Sequence, residues 1–178
     1  MAKEYVAETP GALVLGSTMR ATLNALGEQA LPIMAEHGLS DVQDNEWYLF
    51  QNYLDVIKKV AQGGFGAMQD LVAIGMLIPD VAILPPEVDT LEQVLAGLGI
   101  TFTSHHKDAG IGWEVRQEGN TTICDSYTPY PDEMEYGVLY SFARHFTRPG
   151  QNFTVQFDST LPRKATGGDF TRILVTMD

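Results

Sequence analysis

The spacing of apolar residues changes once along this chain, near Gly99, and that change limits the folds open to it. Before it, apolar side chains recur every three to four positions, the period of helices with one buried face. Beyond it they alternate in short runs bounded by glycine, proline and asparagine, the period of strands. Met19, Leu23, Leu26, Ala30 and Ile33–Met34 mark a first helix, capped by Ser17 or Thr18, kinked at Pro32 and stopped at His37-Gly38. Trp47, Phe50, Leu54, Ile57 and Val60–Ala61 mark a second, starting near Asp44 and ending at Gly63-Gly64. A third, from about Phe65 to Leu77, is apolar around much of its circumference, and Gly75 permits a close helix approach. Glu87 to Leu98 reads as a fourth, after Pro79 and Pro85-Pro86.

In the second half, Ile100-Thr101-Phe102-Thr103 reads as a short strand. Trp113–Arg116 and Thr121–Cys124 flank Glu118-Gly119-Asn120, a hairpin signal. Tyr127-Thr128-Pro129-Tyr130-Pro131 is a loop, since two prolines cannot donate to a ladder. Asp132 then caps a helix to about Phe146, with Met134, Val138, Leu139, Phe142 and Phe146 inward. Phe153–Phe157 and Phe170–Thr176 are closing strands. The expected class is α+β: an N-terminal helical half, then an antiparallel β-sheet with a helix inserted between the hairpin and the last strands. At 178 residues this is one domain, helical over about 12–98 and sheet over about 99–178.

Charge and composition narrow the partners. Eleven basic side chains stand against 23 acidic ones, a net charge of −12. That balance argues against a nucleic-acid partner, which needs clustered Lys and Arg, and against an anionic membrane surface. A single cysteine excludes a disulfide framework and a multi-cysteine zinc site. Residues 1–10 lack the apolar run of a secretory signal, and no stretch is long enough to span a bilayer, so a cytoplasmic location is expected.

The catalytic inventory is thin. Cys124 lies on a strand beside Asp125, and a neighbouring acid opposes the thiolate that a nucleophile needs, so its simplest role is a small core residue. His105-His106 with Asp108 offer metal ligands, but adjacent strand residues point to opposite faces, and a solvated loop is the simpler reading. Asp132, Glu133 and Glu135 fit the exposed first turn of a helix. Gly63-Gly64-Phe65-Gly66 lacks the Lys-Ser/Thr of a phosphate loop. No catalytic residue, metal site or cofactor is therefore assigned. The aromatic inventory is fuller, and a pocket between helices and sheet, lined by rings with a few polar tips, is the leading expectation. The candidate ligand-binding residues are Trp47 on the helical side and Trp113, Cys124, Tyr127 and Tyr140 on the other.

The order of elements from Trp113 onward, with the helix Glu135–Phe146 and the terminal Gly167-Gly168-Asp169-Phe170-Thr171-Arg172-Ile173-Leu174-Val175, resembles one superfamily. It comprises the heme-nitric-oxide/oxygen-binding (H-NOX) domains, the vinyl-reductase-type ligand-binding domains and the TRAPP vesicle-tethering subunits. Gly16 and a long helix ending at His37-Gly38-Leu39 also look like the H-NOX entry, so the resemblance spans about 12–178. It implies the fold, a cavity, and action as a homodimer or through a signalling partner. The heme machinery of H-NOX domains is not matched. Their heme-ligating His lies in a Leu-x-x-x-His context, where this chain has Leu91-Glu92-Gln93-Val94-Leu95. Their Tyr-x-Ser-x-Arg propionate motif corresponds to Tyr127-Thr128-Pro129-Tyr130-Pro131. Phe170 and Thr171 stand where the vinyl-reductase type often has cysteines, so zinc is not expected. The resulting expectation is a heme-less domain that binds a small apolar molecule. The alternatives are a hydrolase-like enzyme using Cys124 and a structural interaction subunit.

Overall fold

A computed structural model describes residues 3–63, 68–82 and 84–178. The chain opens with β1 (Leu13–Leu15), a 3-10 turn at Gly16–Met19 and α1 (Arg20–Leu26). A second 3-10 turn then leads into α2 (Ala30–Glu36). The helical stretch breaks at Gly27, whose φ of +56° suits a residue without Cβ, and not at Pro32. Pro32 sits in the first turn of α2, where a missing N–H removes no intrahelical bond. β2 (Trp47–Leu49) precedes α3 (Phe50–Gln62), which starts six residues after the expected Asp44 because Trp47–Leu49 pairs with β1. α4 (Met68–Val81) carries Pro79 inside its last turn, so it outlasts the expected stop at Leu77. Gly64 to Ala67, which include the expected start of this helix and part of the glycine cluster, lie outside the described residues.

The expected helix from Glu87 begins instead at α5 (Leu91–Ala96). The Thr90 hydroxyl accepts the Gln93 N–H, and the Gln93 side chain accepts the Thr90 N–H, a reciprocal cap that fixes the start. The strand expected at Ile100–Thr103 is part of α6 (Leu98–His105). Leu98 and Phe102, four apart, are buried while Ile100 is 76% exposed, and a four-residue apolar alternation is too short to distinguish the two periods. β3 (His106–Lys107) follows, then β4 (Trp113–Glu118), β5 (Thr121–Ser126), α7 (Asp132–Phe146), β6 (Phe153–Phe157), a 3-10 turn at Lys164–Thr166 and β7 (Thr171–Met177).

The class is α+β, with helices concentrated in the first half and strands toward the end. A four-stranded antiparallel sheet runs β4-β5-β7-β6, with the hairpin register Trp113↔Ser126 to Glu118↔Thr121. A smaller sheet, β2-β1-β3, was not foreseen, since strands of two or three residues leave no period to read. Apolar burial gathers in two clusters. One packs Phe50, Tyr53, Leu54 and Ile57 of α3 against Met34, Leu71, Ile74 and Met134. The other packs α5 and α7 onto Cys124, Val155, Ile173 and Val175 of the main sheet. Ile78 and Trp113 pack against both.

α4 and α7 hold the two halves together at backbone contact. A Cβ on Gly75 would lie 1.9 Å from the Met134 carbonyl oxygen, and one on Gly137 2.3 Å from that of Val72. Each helix therefore contributes a glycine where the other's backbone passes, and the expected role of Gly75 holds.

Candidate functional site

Where the two clusters meet, a cavity of about 170 Å³ opens between helices and sheet. α4 gives it Ile78; the following connection gives Ala82, Leu84 and Pro85. Val94 of α5 and Leu98 and Phe102 of α6 form a second wall, and Met134, Val138 and Phe142 of α7 a third. Trp113 covers one side from the start of β4. Polar groups enter from Ser17, Thr18, Thr101, His105, His106, Tyr130 and Glu135.

His106 is 6% exposed and far from the solvated loop expected for it. Its Nδ1 lies 2.8 Å from the Phe102 carbonyl and its Nε2 2.8 Å from the Tyr130 hydroxyl. Its ring stacks on Phe102, centroids 4.1 Å apart, and tilts against Phe50 at 4.7 Å. Burial lowers its pKa to about 4, so the imidazole is neutral at physiological pH. The adjacent His105 ends α6, with Nδ1 2.9 Å from the Thr101 carbonyl.

Beside the cavity lies a buried ionic knot. Asp132 and Glu135, expected on an exposed helix turn, are 0% and 2% exposed, and Pro131 holds the N-cap position in place of Asp132. The reason is Lys164, 6% exposed on the 3-10 turn before β7. Its Nζ donates to Glu135 Oε2 at 2.8 Å, Ser126 Oγ and the Thr128 carbonyl at 3.0 Å, and the Tyr130 carbonyl at 3.1 Å. Ser126 donates to Glu135 Oε1 at 2.6 Å, and Thr128 donates to the same oxygen. Burial pushes the Glu135 pKa up, and Lys164 with the two hydroxyls pulls it back. Asp132 accepts from Thr171 at 2.5 Å. Glu4 of the N-terminal segment accepts the Asp132 N–H at 2.8 Å, and burial pushes its pKa up to about 7.

Of the five aromatic and thiol residues expected to bind a ligand, Trp113 lines the cavity. Trp47 is half-buried on β2 with the Lys107 ammonium 3.9 Å over its ring. Tyr127 packs on Phe170, donates to Glu114 Oε2 at 3.2 Å, and faces a separate depression beside Lys3 and Ile111. Tyr140 stacks on Tyr136 and meets Phe153 edge-on at 5.3 Å, on the side of α7 that covers β6. Cys124 is wholly buried between Val115 and Ile173 in the sheet register, in the cluster under α5 and α7. Burial, aided by Asp125, pushes its thiol up to about 12, so it offers no thiolate for nucleophilic attack. His106, Tyr130, Glu135 and Lys164 escaped the sequence reading as a group. His106 and Glu135 were singled out but read as solvated, Tyr130 carried a signal as a ring in a proline-bounded loop, and Lys164 has no periodic neighbours to mark it as buried.

Among the described residues, no three His, Cys, Asp or Glu side chains converge as metal ligands, and no helix is long and apolar enough to cross a membrane. No protein-family model and no curated protein matches the chain. Solved structures do. An H-NOX protein from S. oneidensis in the Fe(II)NO ligation state superposes with a TM-score of 0.72 at 13% identity, covering 92% of this chain and 99% of its own. An oxygen-binding H-NOX domain related to soluble guanylate cyclases matches at 0.65 and 11% identity, over 92% and 91%. An unliganded Fe(II) H-NOX mutant from K. algicida matches at 0.62 and 12%, over 92% and 96%. Over 92% of its length, this chain has the H-NOX fold.

Proposed function

We propose that this chain is a heme-less small-molecule-binding domain of the sensor type, taking a small, mostly apolar guest into the cavity between helices and sheet. The carrying observation is the cavity itself, about 170 Å³ and walled mainly by aliphatic and aromatic side chains. A dry apolar cavity of similar volume, engineered in another protein, holds benzene. Among the H-NOX structures of the same fold, one is in the Fe(II)NO ligation state and one is an oxygen complex. The residues here do not fit that iron macrocycle. Sites for drug-sized molecules occupy roughly 300–1,000 Å³, well above this volume. Among the described residues no Lys or Arg lines the cavity to hold propionates, and the nearby Lys164 ammonium is spent on Glu135, Ser126 and two carbonyls. Both ring nitrogens of His106 are engaged. Among the described residues, the His105 Nε2 of the lining makes no hydrogen bond, its Nδ1 lying against Ser104 and the Thr101 carbonyl.

By its resemblance the domain works as a cytoplasmic homodimer or through a signalling partner, which sedimentation of the purified protein checks. Two measurements test the binding reading. Toluene titrated into labelled protein shifts the methyl resonances of Ile78, Val94 and Val138, and the cavity-filling substitution Val138→Phe abolishes the shifts. Protein expressed with added hemin shows no Soret band. Absence of any toluene response at millimolar concentration overturns the pocket. A stoichiometric Soret band that His105→Ala removes overturns the heme-less assignment.

A further inference from the structure

Hydrogen-bond sense in the buried wall of the cavity is fixed by two backbone carbonyls. The Phe102 carbonyl only accepts, so the His106 Nδ1 at 2.8 Å must carry the proton. The ring is neutral, because burial holds its pKa near 4, and its Nε2 is therefore a bare acceptor. The Tyr130 hydroxyl, 2.8 Å away, must donate to it, which leaves the phenolic oxygen with lone pairs and no free proton. The Thr101 carbonyl pins the His105 Nδ1 proton in the same way at 2.9 Å and leaves its Nε2 as an acceptor when the ring is neutral. Glu135 receives protons from Ser126, Thr128 and Lys164 and has none to give. Thr18, whose buried Oγ1 has no partner among the described residues, and the Ser17 and Thr101 hydroxyls of the lining carry no such commitment.

From this inventory we infer that the cavity selects small aromatic molecules carrying one hydrogen-bond donor, of the phenol type, with the Tyr130 oxygen as the acceptor that reads the donor. The inference rests on the binding reading above and narrows its guest. In a purely apolar hole a hydroxyl is a penalty, since it leaves water without compensation. Toluene and anisole should then bind better than phenol. With a committed acceptor on the wall the order reverses, because only phenol gives Tyr130 a proton. Anisole has an oxygen but no donor, and the Ser17, Thr18 and Thr101 hydroxyls have a proton to offer it.

The test is a calorimetric or NMR titration of the full chain with phenol, anisole and toluene at pH 7. Phenol should bind about three- to tenfold more tightly than anisole, the worth of one net hydrogen bond. Tyr130→Phe should bring the two within about twofold, and Thr18→Val should preserve or widen the phenol preference. Should Tyr130→Phe fail to fold, the wild-type ratio and Thr18→Val decide. Anisole binding as tightly as phenol to the wild type overturns this inference and leaves the cavity reading intact. A phenol preference that survives Tyr130→Phe, or vanishes in Thr18→Val, overturns the role of Tyr130. If none of the three binds, it is the binding reading that fails.

Discussion

Replacing Lys164 by Met probes the ionic knot under the first turn of α7. The ammonium and the Glu135 carboxylate stand 2.8 Å apart, with side chains 0% and 3% exposed, so solvent does not screen the pair. Met fills the aliphatic volume but leaves Glu135 buried without its cation and orphans the Thr128 and Tyr130 carbonyls. Breaking one partner of a buried pair costs about 3–5 kcal/mol. The double variant Lys164→Met/Glu135→Gln removes the stranded charge and supplies an amide that can donate to those carbonyls, so it should come back to within about 2 kcal/mol of wild type. Urea unfolding followed by circular dichroism at pH 7 and pH 5 measures all three proteins. The pH sense follows from Glu135. Burial already raises its pKa in the folded state, and without Lys164 the folded value rises further above the unfolded one. A group with a raised folded pKa stabilises below its unfolded pKa and loses that contribution as pH climbs through the folded value. The single variant's deficit should therefore be larger at pH 7 than at pH 5. A deficit under about 1 kcal/mol, a double variant no better than the single, or a deficit that grows on acidification would refute the reasoning.

Other substitutions probe the same architecture. Gly75→Ala places a methyl 1.9 Å from the Met134 carbonyl, so helix separation should cost about 1–3 kcal/mol or more in denaturant unfolding, whereas Gly11→Ala, with nothing within 4 Å, should be neutral or slightly stabilising. Native Cys124 should react with iodoacetamide at pH 8 about a hundredfold or more slowly than in urea, given its burial and a thiol near 12; fast labelling in native buffer would contradict its placement. His106, lowered to about 4, binds its proton more weakly folded than unfolded, so its contribution is present above the unfolded pKa near 6.5 and is lost as pH falls toward 4. His106→Gln should remove up to about 3 kcal/mol of that acid sensitivity, read as a flatter difference in unfolding free energy between pH 7 and pH 4.

Long elements were legible in the sequence and short or buried-polar ones were not. The bounds of α7 and β6 match the expectation because fifteen and five residues of clean period stand between proline or glycine breaks. The Phe102 environment misled, since four alternating residues fit a strand as well as a turn of helix. β1, β2 and β3 are too short to carry a period, and they meet only through long-range pairing, with β1 in the middle between β2 and β3. At the cavity, Trp113, expected there as one of the chain's aromatics, lies on the wall at the start of β4. Glu135 and Asp132 looked like surface acids because nothing local announces a lysine 29 and 32 residues later that folds back over them. Tyr127 and Tyr140 were sensible aromatic candidates, but register and helix phase turn them toward Phe170 and Phe153.

The paired glycines where α4 crosses α7 have a mechanical corollary. Two main chains in direct contact have no compressible side chains between them, so Ile78, Met134 and Val138 form an anvil that a guest cannot spread. Whatever room a visitor needs has to come from the opposite jaw, the run from Leu84 through α5 and α6. That jaw ends in His106, which is at once a cavity residue and the first residue of β3, paired with Val14. Displacement there is handed straight to the small N-terminal sheet, more than ninety residues away along the chain and one hydrogen-bonded ladder away in space.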